Sequence, residues 1–140
     1  MSLSNIGLKT VVKGDLKAAI EKVTSSLKKQ GFGVLTSIDI SATLKSKINQ
    51  DFRPYVILGA CNPGFAHRAL IADENVGLLL PCNVVVEQKE KDRCDITIMN
   101  PMLMMNFLDN PKLQDLGKEA YQQLSYVITD LNESGSKSKM

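Results

Sequence analysis

The fold is decided by the stretch Arg53-Pro-Tyr-Val-Ile-Leu-Gly-Ala-Cys61, which is followed directly by Asn62-Pro63. Its apolar residues form an unbroken run between turn-forming residues, the pattern of a central strand covered on both faces. Asn62 is a favourable helix cap, and Pro63 stands at the first helical position, where the missing N–H leaves no hydrogen bond unmade. The stretch therefore predicts a buried strand that leads straight into a helix.

On the N-terminal side, the pattern predicts two strands and two helices. A strand over 7–12 is followed by the cap Asp15 and an amphipathic helix that ends before Gly31. The apolar residues of that helix recur at helical spacing and are Leu16, Ala19, Ile20, Val23 and Leu27. Alternation predicts a second strand over 32–38, and a short helix is expected behind a possible cap at Ser41.

On the C-terminal side, an apolar run over 76–80 leads into a strand that begins at Pro81 and forms a hairpin with residues 93–99. Asn110-Pro111 repeats the cap-and-proline signal and begins a long amphipathic helix. The predicted order βαβαβαββα indicates one α+β domain over residues 1–132. The polar tail 133–140 has nothing to bury and is expected to be disordered.

Composition narrows the class of protein. The 140 residues carry 17 Lys and Arg against 15 Asp and Glu, 44% of them are hydrophobic and 23% are charged. These values describe a globular domain large enough to need no disulfide or structural metal. The balanced charge and the lack of a basic cluster argue against nucleic acid as the main partner. The sequence contains no phosphate-binding loop and no dinucleotide-binding glycine motif.

The sequence also predicts where the protein is located. No apolar stretch, including 76–80, approaches the roughly 20 residues that cross a bilayer, so no membrane association is expected. The start Met-Ser-Leu-Ser-Asn lacks the features of a signal peptide. Three cysteines, an odd number, fit a reducing compartment better than a disulfide framework. We therefore expect a cytoplasmic protein.

Two Cys-Asn dipeptides are the main chemical feature of the sequence. Cys61-Asn62 precedes a predicted helix N-terminus, where unpaired backbone N–H groups and the helix dipole favour negative charge and could shift a thiol towards thiolate. Cys82-Asn83 stands where an apolar run meets the start of a strand. If strands 54–61 and 81–88 are neighbours in matching register, Cys61 and Cys82 could share a bond or a ligand.

The other cysteine and the histidine have simpler interpretations. Buried free cysteines commonly act as small apolar residues, and Cys94 alternates with Ile96 and Ile98, which predicts that it faces the core. His67 is the only histidine, so no metal site with two imidazoles from one chain can form. It could accept a proton from Cys61, but a helical position beside Arg68 favours solvent.

Four of the six methionines cluster at Met99, Met102, Met104 and Met105. Thioethers can hold Cu(I), and a copper site would also use Cys61 or Cys82. Adaptable packing in the core or at a subunit contact is the simpler interpretation.

Several motifs resemble the domain-of-unknown-function family 302 over about residues 5 to 130. They are Gly31-Phe32-Gly33-Val34, Tyr55-Val-Ile-Leu-Gly-Ala-Cys-Asn-Pro63, Gly77-Leu-Leu-Leu-Pro-Cys-Asn-Val-Val-Val86 and Asn100-Pro101-Met102. The resemblance implies a small α+β protein with a mainly antiparallel sheet and helices packed on it, often a homodimer, and no established activity. It also implies that the two Cys-Asn motifs belong together. The chain departs from the family pattern at Asn100-Pro101, where Asp-Pro is typical.

Three hypotheses for function follow. The first is a homodimeric binding module that holds a small anion or a soft metal ion at Cys61 and Cys82, with Asn62 and Asn83 offering hydrogen bonds. The second is a thiol enzyme with Cys61 as nucleophile, Cys82 as resolving thiol and His67 as proton acceptor. The third is an interaction scaffold that associates through Met102, Met104, Met105 and the C-terminal helix.

Overall fold

The computed structural model describes residues 6–137, with side chains described for residues 6–133. The elements are β1 (Gly7–Lys13), α1 (Leu16–Lys29), β2 (Gly33–Asp39), α2 (Ile40–Ile48), β3 (Tyr55–Cys61), α3 (Pro63–Ala72), a 3₁₀ helix (Glu74–Leu79), β4 (Cys82–Glu90), β5 (Arg93–Met99), α4 (Pro101–Met105) and α5 (Pro111–Lys137). The α+β class and the predicted order are confirmed. The 3₁₀ helix and α4 are additions to the predicted order.

The strands form one antiparallel sheet in the order β1-β5-β4-β3-β2. Helices α1 and α5 pack on one face of the sheet, and their apolar stripes meet the inward side chains of the strands in one core. The largest fully buried side chains of this core include Val23, Leu27, Leu58, Ile96, Ile98, Leu124 and Val127. The antiparallel sheet with helices packed on it and the β4–β5 hairpin are therefore both present as predicted.

Strand β3 differs from its prediction in one respect. Val56, Leu58 and Ala60 belong to the core, but Tyr55 and Ile57, on the other face, are only half-buried. The prediction that this strand is covered on both faces was wrong, because an antiparallel sheet can carry its helices on one face and leave the other to solvent. An unbroken apolar run does not distinguish the two arrangements.

A smaller apolar cluster closes one end of the sheet. It joins α3, the 3₁₀ helix, α4 and α5 through Ala69, Val76, Met105, Leu113 and Leu116. Gly117 of α5 makes this packing close, since a Cβ there would lie 3.0 Å from the Met105 Cβ and 3.2 Å from the Pro101 carbonyl oxygen. Gly117 is therefore a contact point of α4 with α5.

The helix caps follow the sequence at α1 and differ at α2. Asp15 caps α1 and accepts a hydrogen bond from the Ala18 N–H at 2.9 Å, as predicted. Asp39, and not Ser41, caps α2: its Oδ1 accepts from the Ala42 N–H at 2.9 Å and from the Ser41 hydroxyl at 2.8 Å. These two donors lower the pKa of the Asp39 carboxyl.

The C-terminal helix begins after Asn110, as predicted, and continues to Lys137, past the expected end of the domain at residue 132. The expected disorder of 133–140 stays a prediction, since residues 138–140 lie outside the described part of the chain. Within residues 6–137, no helix is both long enough and apolar enough to cross a membrane.

Candidate functional site

The junction of β3 and α3 is built as the sequence predicts. Asn62 caps α3, and its Oδ1 accepts hydrogen bonds from the backbone N–H groups of Gly64 at 3.1 Å and Phe65 at 3.3 Å. Pro63 occupies the first turn, where a missing N–H is harmless. Two of the amides that could have held an anion at this helix end are therefore already used by the cap.

The register of β3 and β4 decides whether Cys61 and Cys82 lie on the same face of the sheet. The strands are neighbours, as predicted, but Cys82 stands opposite Ala60 and not opposite Cys61. Successive side chains of a strand point to opposite faces, so Cys82 shares the core face with Ala60, while Cys61 belongs to the other face beside its partner Gly33 on β2. The sheet thus separates the two thiols by face, and Cys61, Cys82 and Cys94 are all free of disulfides.

Cys82 is a buried thiol with an apolar environment. It is 7% exposed and donates a hydrogen bond to the Met99 carbonyl oxygen at 3.5 Å. Burial raises the pKa of the Cys82 thiol from 9.0 to about 12, because the thiolate loses its hydration there. A reactive thiol has a lowered pKa, so the shift at Cys82 is in the opposite direction.

Cys94 faces the core on β5, as predicted from its alternation with Ile96 and Ile98. Its thiol donates to the Gly14 carbonyl oxygen at 3.5 Å. Desolvation, followed by the nearby Asp15 and Asp95 carboxylates, raises the pKa of this thiol as well. Cys94 is therefore a packing residue.

Neither the Asn83 side chain nor His67 shares the core face of the sheet with Cys82. Asn83 is exposed on the uncovered face of the sheet, opposite Gly59. His67 is exposed on α3 and borders an open groove of about 750 Å³ between α3 and α5, where Arg68 pairs with Glu119 at 3.0 Å. Neither residue joins a cluster with a cysteine in the described part of the chain.

A small cavity lies between the end of the sheet and helices α3, α4 and α5. Its volume is about 50 Å³, and its walls are almost entirely apolar. Four sulfur-containing residues are among those that border it: Cys61, Cys82, Met104 and Met105. Of these, Cys82 shares the core face of the sheet, whereas Cys61 belongs to the opposite face.

Met104 and Met105 reach this cavity from α4, the helix that was absent from the predicted order. Asn100 caps α4 by accepting from the Met102 N–H at 3.0 Å, and Pro101 stands at its first position. Asn100-Pro101 is thus the same signal as Asn62-Pro63 and Asn110-Pro111. The signal for α4 was therefore present in the sequence, because asparagine is a favourable helix cap.

Among the described residues, no group of three or more His, Cys, Asp or Glu side chains is placed to hold a metal ion. That part of the chain therefore offers no group of side chains of the kind that binds zinc, calcium or magnesium. The thioether and thiol residues around the cavity are a different donor class, suited to soft ions.

Comparisons with known proteins agree with the fold. The sequence model of a family described as a domain of unknown function, DUF302, matches residues 8–131. The crystal structure of an uncharacterized conserved protein DUF302 from Bacillus stearothermophilus is 29% identical in sequence, with a TM-score of 0.82. The match covers 90% of this chain and 98% of that chain. No curated protein matches the chain.

Proposed function

We propose that this chain, which belongs to the DUF302 family, is a binding module for a soft monovalent metal ion. The ion is Cu(I), and its ligands are Cys82, Met104 and Met105. The observation that carries the proposal is that one thiol residue from β4 and two thioether residues from α4 border a single small cavity. Thiolate and thioether sulfurs are the ligands that favour Cu(I). The proposal keeps the soft metal of the sequence-based hypothesis and replaces Cys61 with the two methionines.

The size of the cavity favours an ion over an organic ligand. Pockets for small organic molecules usually have volumes of about 300–1,000 Å³. The cavity at Cys82 has about 50 Å³, enough for one ion. Its walls offer almost no polar surface, so a small anion would lose its hydration without gaining hydrogen bonds.

The chemistry of Cys82 makes binding dependent on pH. With its pKa raised to about 12, the thiol is protonated in the empty protein. Binding replaces the S–H bond with an S–Cu bond and releases one proton to solvent, with no change in the oxidation state of copper or sulfur. The apparent affinity for Cu(I) should therefore rise about tenfold per pH unit below that pKa.

The thiol-enzyme hypothesis has less support. A resolving thiol must reach the nucleophile, but Cys82 is buried on the opposite face of the sheet from Cys61. His67 borders the α3–α5 groove and not the cavity. The cytoplasmic location expected from the odd cysteine count fits the copper hypothesis, since a reducing compartment keeps thiols reduced.

The test is a Cu(I) titration under anaerobic conditions, in competition with a chromophoric Cu(I) chelator, with Ag(I) as a redox-inert probe in native mass spectrometry. Because an accessible thiol binds soft ions unspecifically, every variant is built on a Cys61→Ser background. We expect one ion per chain in that background. Cys82→Ser should weaken binding at least about 100-fold, and Met104→Leu or Met105→Leu about tenfold, the range typical of altered metal-site shells.

Cys94→Ser is the matched control, because it removes another buried thiol whose residue does not border the cavity. It should leave Cu(I) binding unchanged. The proposal fails if the Cys61→Ser background binds no ion, or if Cys82→Ser and Cys94→Ser bind equally. Loss of binding in Cys61→Ser alone would instead restore a site at Cys61.

A further inference from the structure

The groove between α3 and α5 takes no part in the copper site. Its volume is about 750 Å³, which lies within the range of about 300–1,000 Å³ usual for pockets that bind small organic molecules. Its apolar lining consists of the buried Leu116, the half-buried Ala72 and Ile71, which is 77% exposed. A ligand with an apolar group would remove the Ile71 side chain from water, which is favourable. The groove therefore has the size and the apolar surface to hold a small organic molecule.

The charged residues that line the groove are balanced in sign. Arg68 of α3 and Glu119 of α5 pair between the two helices at 3.0 Å and neutralise each other. The side chains of Lys112 and Asp115, both exposed on α5, form no ion pair with any other described residue. A ligand with a single sign of charge would be repelled by one of these two side chains, whereas a zwitterion can pair with both.

The spacing of Lys112 and Asp115 indicates the length of the zwitterion. Residues three apart on a helix lie on one face, with their Cβ atoms about 5–6 Å apart. An extended peptide spans at most about 3.3–3.6 Å per residue, so the terminal charges of a dipeptide match this spacing better than those of a single amino acid or a tripeptide. Lys112 is the second residue of α5, and negative charge is favoured in the first turn of a helix, so the carboxylate belongs at Lys112.

We propose that the α3–α5 groove binds a dipeptide that has free termini and apolar side chains. Its carboxylate pairs with Lys112, its ammonium group pairs with Asp115, and its side chains cover Ile71. Glu119 is the last residue of α5 that lines the groove, one turn beyond Asp115. Its ion pair with Arg68 therefore bounds the end of the groove at which the ammonium group lies.

The experiment titrates metal-free protein with leucyl-leucine and follows the backbone amide shifts by two-dimensional NMR, so its result is independent of the copper site. Amides of residues 67–72 and 112–119 should shift together and saturate, with a dissociation constant of about 1 mM, because the groove is open and its charges are exposed. Two blocked ligands, N-acetyl-leucyl-leucine and leucyl-leucine amide, each lack one terminal charge. Each should bind about threefold more weakly, the scale of one exposed ion pair.

Two variants assign the contacts. Lys112→Gln should bind leucyl-leucine and its amide equally, because the carboxylate has lost its partner, while it still prefers a free ammonium group to an acetylated one. Asp115→Asn should show the reverse pattern. The matched control is Lys118→Gln, which removes an exposed lysine of α5 that does not line the groove and should bind like the wild type. Leu116 stays unchanged because it borders both the groove and the copper cavity.

The ligand series on the wild type keeps the test valid if a variant fails to fold. The proposal is overturned if leucyl-leucine causes no saturable shift up to about 10 mM, or if the shifts lie outside α3 and α5. Equal affinity for free leucine and leucyl-leucine would also overturn it, as would equal affinity of Lys112→Gln and Lys118→Gln for leucyl-leucine. None of these outcomes bears on Cu(I) binding at Cys82, which is measured separately.

Discussion

Cys82 stands directly opposite Ala60 in the β3–β4 ladder, with its side chain in the core. The neighbouring Cys61 therefore belongs to the other face of the sheet. A shift of one residue in this register would have put Cys61 opposite Cys82 on a shared face. The actual register separates the two Cys-Asn motifs: Asn62 of the first caps a helix at the end of the sheet, and Cys82 of the second borders a small apolar cavity.

The thiols should differ in reactivity. In the native protein we expect an alkylating reagent to label Cys61, which is half-buried, while Cys82 and Cys94 react only after unfolding. Mass spectrometry of the labelled chain identifies the site. Oxidation of the folded protein should give no Cys61–Cys82 disulfide, and its formation at the rate of Cys61 labelling would contradict the placement of the thiols on opposite faces.

Stability should fall at alkaline pH because of Cys82. Its pKa is raised in the folded state from 9.0 to about 12, so between these values the unfolded chain loses the proton and the folded chain keeps it. Stability is therefore fully present below pH 9 and is lost as pH rises towards 12, by at most about 1.4 kcal/mol per pH unit. Urea unfolding of the wild type and Cys82→Ala at pH 8 to 11 measures the difference.

In that experiment Cys82→Ala should show a shallower loss of stability with pH than the wild type, whatever its stability at neutral pH. Cys61→Ala is the reference variant, because Cys61 is not part of the buried core. Parallel pH profiles for the wild type and Cys82→Ala would show that Cys82 is not buried as the structure places it.

The sequence predicted the fold better than the site, for a physical reason. Periodicity and caps are local signals, so α1, β3 and the start of α3 at Asn62-Pro63 could be predicted from neighbouring residues. The separation of Cys61 from Cys82 depends on a strand register that no local pattern determines. The approach of Met104 and Met105 to Cys82 depends on tertiary packing of α4, whose cap signal at Asn100 was present in the sequence.

The cap of α3 should contribute measurably to stability. Asn62→Ala removes the acceptor for the Gly64 and Phe65 N–H groups and should cost about 1 kcal/mol. Asn62→Asp keeps an acceptor and adds a charge that the helix N-terminus favours, so it should be at least as stable as the wild type. Asn83→Ala, at the exposed second Cys-Asn motif, is the control and should change the free energy of unfolding little. Equal losses for Asn62→Ala and Asn62→Asp would contradict the capping role.

Gly59 should not tolerate a side chain. A Cβ at this position would overlap Thr36 Oγ1 and approach Pro81 Cγ to 2.8 Å, because both side chains close over the glycine on the face of β3 that points away from the core. We expect Gly59→Ala to cost about 1–3 kcal/mol, the usual cost of overpacking, in urea unfolding. Gly33→Ala is the matched control, since a Cβ on this glycine of the neighbouring strand meets nothing within 4 Å.

Adding Thr36→Ala to Gly59→Ala removes one of the two contacts and should restore part of the lost stability, with Pro81 responsible for the rest. If Gly33→Ala cost as much as Gly59→Ala, the loss would come from backbone conformation and not from this contact.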